Sequence, residues 1–191
     1  MNKNQFTLIM LFALFLGPVV LAIVLHSEWI DWQAAPNRAH GTLIKPVQAL
    51  GPFELVDAAG NGRDIGDLEG RWWLMMIHPD RCDADCMEKA ILLRQIRLAQ
   101  DRNRKDVGLA FMTAAQMPES RVDEIQAIDP SWVIFDGQAG AQLMRRFPNA
   151  ESGAFYIVDP DGNIMERFDP TTDPTGIRKD LDRLLTWTIR E

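Results

Sequence analysis

Between Phe6 and Leu25 the chain runs for twenty residues without a charge, "FTLIMLFALFLGPVVLAIVL". That is about the length a helix needs to cross ~30 Å of hydrocarbon. Pro18 should kink such a helix, which a membrane span tolerates better than an exposed soluble helix would. Lys3 and the amino terminus carry the only positive charges before the stretch, and His26, Glu28 and Asp31 follow it without a cluster of Lys or Arg. The positive-inside rule then predicts a cytoplasmic amino terminus and an exported body. A cleaved signal peptide is the rival, but its apolar core is usually 7–15 residues long and ends at small residues. Here the run exits into "VLHSEWIDW", and Trp29 and Trp32 suit the aromatic belt at a membrane surface. We expect an uncleaved anchor at 6–25 behind a short cytoplasmic segment, 1–5.

The chain of 191 residues is 47% hydrophobic, with a net charge of −7. That suits one globular domain with a real core. An acidic body with no basic stripe argues against nucleic acid and against docking on anionic lipid. Residues 26–50 hold Pro36, Gly41 and Pro46 with little periodicity and read as a tether. From residue 51 to 191, short apolar runs alternate with helical patterns. "FELVD" reads as a strand and "AAGNGR" as a turn. "RWWLMMI" (71–77), bounded by Gly70 and Pro79, reads as a strand buried on both faces. A helix is predicted from about Asp83 to Asn103, a strand at "DVGLAFMT" and a helix over 118–128. Further on come a strand at "WVIF", a short helix at "QAGAQLMRRF", and the strands "GAFYIVD" and "NIMERFD" joined by the turn "PDG". A final helix opens near Asp173 and Pro174. The order implies a mixed α/β sheet with helices on both faces.

Both cysteines, Cys82 and Cys86, lie in "HPDRCDADCMEKA", where the central apolar strand hands over to a helix. Active groups gather at such carboxyl ends of strands. Thiols four residues apart reach bridging distance if the backbone at Cys82 is not yet helical. A helix amino terminus favours thiolate, the form that attacks disulfides and binds soft metals. Arg81 would assist, whereas Asp80, Asp83 and Asp85 would oppose. An inert staple closing so small a loop would remove little entropy from the unfolded chain. The residues therefore leave three readings: redox exchange, metal binding or a structural bridge. His78, four residues ahead of Cys82, could serve as a ligand, a proton shuttle or a polar strand-end residue.

The segment "LEGRWWLMMIHPDRCDADC" resembles the "L-x-G-(K/R)-W-x-L…C-x-x-x-C" block of the Sco/SenC proteins, and "AFYIVDPDGNIMERF" resembles their "Y-L-x-D-P-x-G" hairpin. The likeness extends over roughly 50–190. It implies a thioredoxin-like fold on a membrane anchor and a role in cytochrome c oxidase assembly. It also implies a pair, Cys82 and Cys86, that binds copper as Cu(I) or reduces disulfides at the copper site of oxidase subunit II. The chain departs from the family at one ligand. The family's distal histidine falls eight residues before the Asp of the hairpin turn, which is Glu151 here. The only histidines are His26, His40 and His78, so a Cys-Cys-His site of the family type cannot form as such. Asp83 also replaces the family's proline.

The methionines, Met87 included, read as core packing. Trp72 and Trp73 read as sheet-face residues and "DPDGN" as a hairpin turn rather than a calcium loop. His40, in the tether, reads as solvated or at an interface rather than as a ligand. The expectation is a thioredoxin-like protein of a bacterial inner membrane, its domain in the periplasm. It would serve oxidase subunit II or another copper-site assembly protein by thiol–disulfide exchange through Cys82 and Cys86. The alternatives are a Cu(I) chaperone, with His78 a candidate third ligand, and a non-catalytic scaffold.

Overall fold

The computed structural model describes residues 3–25 and 39–188. The chain divides into two compact units, with the boundary at Arg38 and Ala39. The first contains helix α1, Lys3–Leu25, with Pro18 inside it. Side chains of α1 are described for Gln5 and residues 10–20. Over the described residues, no helix is long and apolar enough to cross a membrane, so the span reading rests on the sequence. His26, Trp29 and Trp32 lie outside the described residues.

The second unit is a six-stranded mixed sheet with helices on both faces. Its strands are β1 (Thr42–Ala49), β4 (Trp72–Ile77), β5 (Val107–Met112), β6 (Trp132–Phe135), β7 (Phe155–Val158) and β8 (Asn163–Phe168), in the spatial order β1-β8-β7-β4-β5-β6. β2 (Glu54–Val56) and β3 (Gly62–Asp64) form a separate hairpin. β4, β5 and β6 are parallel, as crossover helices require. β7 and β8 run antiparallel beside β4, joined by the turn read at 160–162.

All six β4 residues are buried, and their alternation divides the core in two. Trp72, Leu74 and Met76 face the layer of α2 (Ala84–Leu98), α3 (Glu119–Ile128) and α5 (Pro174–Thr188). Trp73, Met75 and Ile77 face α4 (Gly137–Met144), Phe53 and Tyr156. A strand buried on both faces has no polar side to show, which is why its sequence is a continuous apolar run.

Two expectations change. Residues 42–49, read as the end of the tether, form edge strand β1 on β8. Nearly all of its side chains are exposed, so no apolar alternation marks it. Helix α2 stops at Leu98 rather than near Asn103. Ala99 caps it, Asp101 takes a left-handed φ of 54°, and a 3-10 turn covers Asp101–Asp106.

Candidate functional site

The site forms where β4 ends. The Ile77 N–H donates to Ala154 O at 3.0 Å, and the His78 N–H to Met112 O at 3.0 Å. The Ala114 N–H reaches Pro79 O at 3.2 Å, and the buried Thr113 hydroxyl donates to Asp80 O at 2.8 Å. The end of β5 therefore fixes the segment 78–80 that leads to the first thiol.

Cys82 precedes the helix and Asp83 is its N-cap, in extended conformation, accepting from the Cys86 N–H at 3.1 Å. That cap satisfies one of the donors orphaned in the first turn. The turn brings Cys82 and Cys86 to a Cα separation of 5.2 Å, and the two are joined as a disulfide. Both cysteines are buried in the core: Cys86, in the first turn of α2, is 0% exposed and Cys82 9%. Cys82 is thus the less enclosed of the two. The hydrogen bond from Cys86 N–H, and to a lesser extent the nearby imidazole of His78, hold the Asp83 carboxyl below its usual range. Asp83 therefore keeps a negative charge beside the bridge.

His78 is buried, with its Nε2 4.0 Å from Asp83 Oδ1, beyond hydrogen-bond reach. Among the described residues its Nδ1 has no hydrogen-bond partner. His40, read as solvated or at an interface, is exposed, and its backbone N–H and Nδ1 also meet Asp180 at 2.5 and 3.0 Å.

The loop before β7 also reaches this end of the sheet. The Gly153 N–H donates to Ile77 O at 2.8 Å. Gly153 has a φ of +78°, and a Cβ there would stand 2.6 Å from Lys89 Nζ of α2. Glu151, on this loop, is ion-paired with Arg167, which also holds Asp169 at 2.5 Å and Asn149 O at 3.1 Å. The position of the family histidine is therefore occupied by a carboxylate that a guanidinium already holds. With Glu151 committed and His78 facing Asp83, these residues do not reproduce a Cys-Cys-His copper site. Asp83 as cap was legible in the predicted helix start. The Glu151–Arg167 pair was not, because only the β7–β8 hairpin brings those residues together.

A disulfide across the start of a helix, at the carboxyl end of the central strand of such a sheet, defines a thioredoxin-fold protein with a dithiol–disulfide site. The chain matches the family described as "Transmembrane-like, thioredoxin-like, C-terminal domain" over residues 72–188 and belongs to it.

Among solved structures, yeast Sco1 with copper bound is 18% identical, with a TM-score of 0.62 over 75% of this chain and 95% of that one. The thioredoxin domain of a thiol-disulfide oxidoreductase from Bacteroides vulgatus is 14% identical, with a TM-score of 0.56 over 72% and 96%. The likeness to Sco/SenC proteins expected from the two motif blocks is thus present in the fold. Among curated proteins, a probable phospholipid hydroperoxide glutathione peroxidase of Nicotiana sylvestris is 22% identical over 158 residues, spanning 72% of this chain and 94% of that protein. These identities establish the shared fold alone.

Proposed function

We propose that this chain is a membrane-anchored, periplasm-facing protein that exchanges thiols and disulfides through Cys82 and Cys86. Its target would be the copper site of cytochrome c oxidase subunit II or another protein that assembles that site. The observation that carries the reading is the disulfide itself, formed across the capped start of α2 with Cys86 fully enclosed and Cys82 the less buried partner. In the reduced protein the Cys82 thiolate attacks one sulfur of the target disulfide. That S–S bond breaks, a mixed disulfide forms, and the second target sulfur leaves as a thiolate and takes up a proton. Cys86 then loses its proton and attacks Cys82. The remaining target sulfur is released as a thiol, and the intramolecular bridge of this structure results. Two electrons have passed to the target, so the structure is the spent form, which a further dithiol must reduce before the next round. Carriage of Cu(I) by the reduced thiols is the alternative, since thiolates are the soft donors present. The committed Glu151 weighs against it.

The test is a trap. Reduced Cys86→Ser, incubated with a disulfide-bridged peptide of the subunit II copper site, is expected to accumulate a one-to-one mixed disulfide on a non-reducing gel. Cys82→Ser should give none. An absent adduct with Cys86→Ser, or a wild-type bridge that resists millimolar dithiothreitol, overturns the proposal.

A further inference from the structure

Beside the bridge stand three groups that the exchange chemistry leaves unused. One ligating atom each from His78, Asp83 and Asp85 lies within 4.8 Å of the others. The two carboxylates alone would be an ordinary solvated helix start. His78 is different: its side chain is only 7% exposed, its Nδ1 has no partner among the described residues, and its Nε2 is turned toward Asp83 at 4.0 Å. A buried imidazole without a hydrogen bond is costly. The 4.0 Å gap is too long for a hydrogen bond, but it is a separation that two ligands can have across one cation. Donors at about 2.0–2.2 Å from a zinc ion stand no more than roughly 4.4 Å apart, so a trio spread over as much as 4.8 Å would draw in slightly around it.

We propose that His78, Asp83 and Asp85 bind a divalent cation of borderline hardness, such as Zn2+, next to the oxidised Cys82–Cys86 bridge. One imidazole nitrogen and two carboxylate oxygens suit such an ion and do not suit Cu(I). Neither sulfur is required, so the site exists while the thiols are locked in the disulfide. The scaffold holds all three donors. His78 is tied to Met112 through its backbone, Asp83 is fixed as the helix cap, and Asp85 lies in the first turn of α2. Asp83 Oδ1, the oxygen nearest His78 Nε2, also accepts from the Cys86 N–H, so the cap and a bound cation would share it. Asp85 is shared, because Lys89 is ion-paired with it. Lys89 is thus a built-in competitor, and the three protein donors leave further coordination positions open to water or to a group on a partner.

The site is tested by calorimetric titration of zinc chloride into the oxidised full chain in detergent. One equivalent is expected to bind. His78→Ala and Asp85→Asn should each weaken binding by no less than the roughly tenfold lost when an outer partner of a metal ligand is removed. Asp83→Asn keeps the cap, because Asn caps about as well as Asp, and should weaken zinc binding while the thermal unfolding midpoint stays in place. Lys89→Met should tighten it. The double variant Cys82→Ser, Cys86→Ser should bind zinc as the wild type does, which separates this site from the exchange reading. Absent saturable binding, equal affinity in every variant, or binding lost only in the double cysteine variant overturns the proposal.

Discussion

At the scale of single residues, Asp83 has two effects with opposite consequences. Its side chain caps α2 by accepting from Cys86 N–H, and its charge stands beside the sulfur that must become a thiolate. The sequence placed Asp83 at a helix start but weighed only its charge. Two substitutions separate the effects. Asp83→Ala removes the cap and should lower the unfolding midpoint, whereas Asp83→Asn should leave it nearly unchanged. Both remove a negative charge that disfavours thiolate, so both should speed alkylation of Cys82 in the reduced protein at pH 7. Thermal unfolding and iodoacetamide kinetics on the three proteins check this. Equal alkylation rates would show that the charge does not reach the sulfur. The burial of His78 was not legible in the same way. It depends on the end of β5, more than thirty residues along the chain, where Met112 O takes its N–H.

At the scale of elements, the strands and helices of the buried sheet were legible because their patterns are strong. β4 is continuously apolar, and the β7–β8 turn carries its own signal in Pro160, Asp161 and Gly162. β1 was missed because its identity comes from its partner. Its side chains are mostly exposed, and it is held by pairing with β8 and by a cluster at its entry. There the Gly41 N–H donates to Glu166 Oε1 at 3.0 Å, His40 bonds Asp180, and Arg183 of α5 stands 3.3 Å from Asp180. Burial first, and then the charge of Asp180, push the Glu166 carboxyl up to about 7. A folded-state pKa raised above the unfolded value near 4.5 means that the folded state holds the proton more tightly. This contribution is fully present below about pH 4.5 and is lost as pH rises through about 7. The loss should be on the order of 2 kcal/mol. Denaturant unfolding at pH 5 and pH 8 should therefore show a fall in the wild type that is largely absent in Glu166→Gln. A parallel fall in both proteins would place the titrating group elsewhere. Asp129 acts at the acid end. Its burial would raise the carboxyl, but Ser131 and Arg97 outweigh that and hold it low, so its contribution is lost only as pH falls below the usual carboxylate range.

At the scale of the whole molecule, the weak local signals of the site make sense if the anchor does part of the work of binding. Asp83 and the exposed Asp85 crowd the thiols with negative charge, and among the described residues no basic patch or deep apolar groove marks a tight docking surface. A protein confined to the same membrane face as its target needs only a weak interface, because tethering supplies the effective concentration. Helix α1, with 23 residues, would extend about 35 Å at 1.5 Å per residue. Its described apolar side chains between Met10 and Val20 are 48–73% exposed, a surface that water tolerates poorly and lipid accepts. We therefore expect the full chain to stay with membranes through a carbonate wash. Alkaline phosphatase fused after Glu191 should be active, as an exported carboxyl terminus requires. The domain from Ala39 onward should be recovered in the soluble fraction and should still form the mixed disulfide with a peptide in vitro. In cells, exported without its anchor, it should support oxidase assembly less well than the full chain at equal abundance. Equal support from the two forms would show that proximity contributes nothing, and an inactive phosphatase fusion would place the dithiol in a compartment where its bridge would be kept reduced.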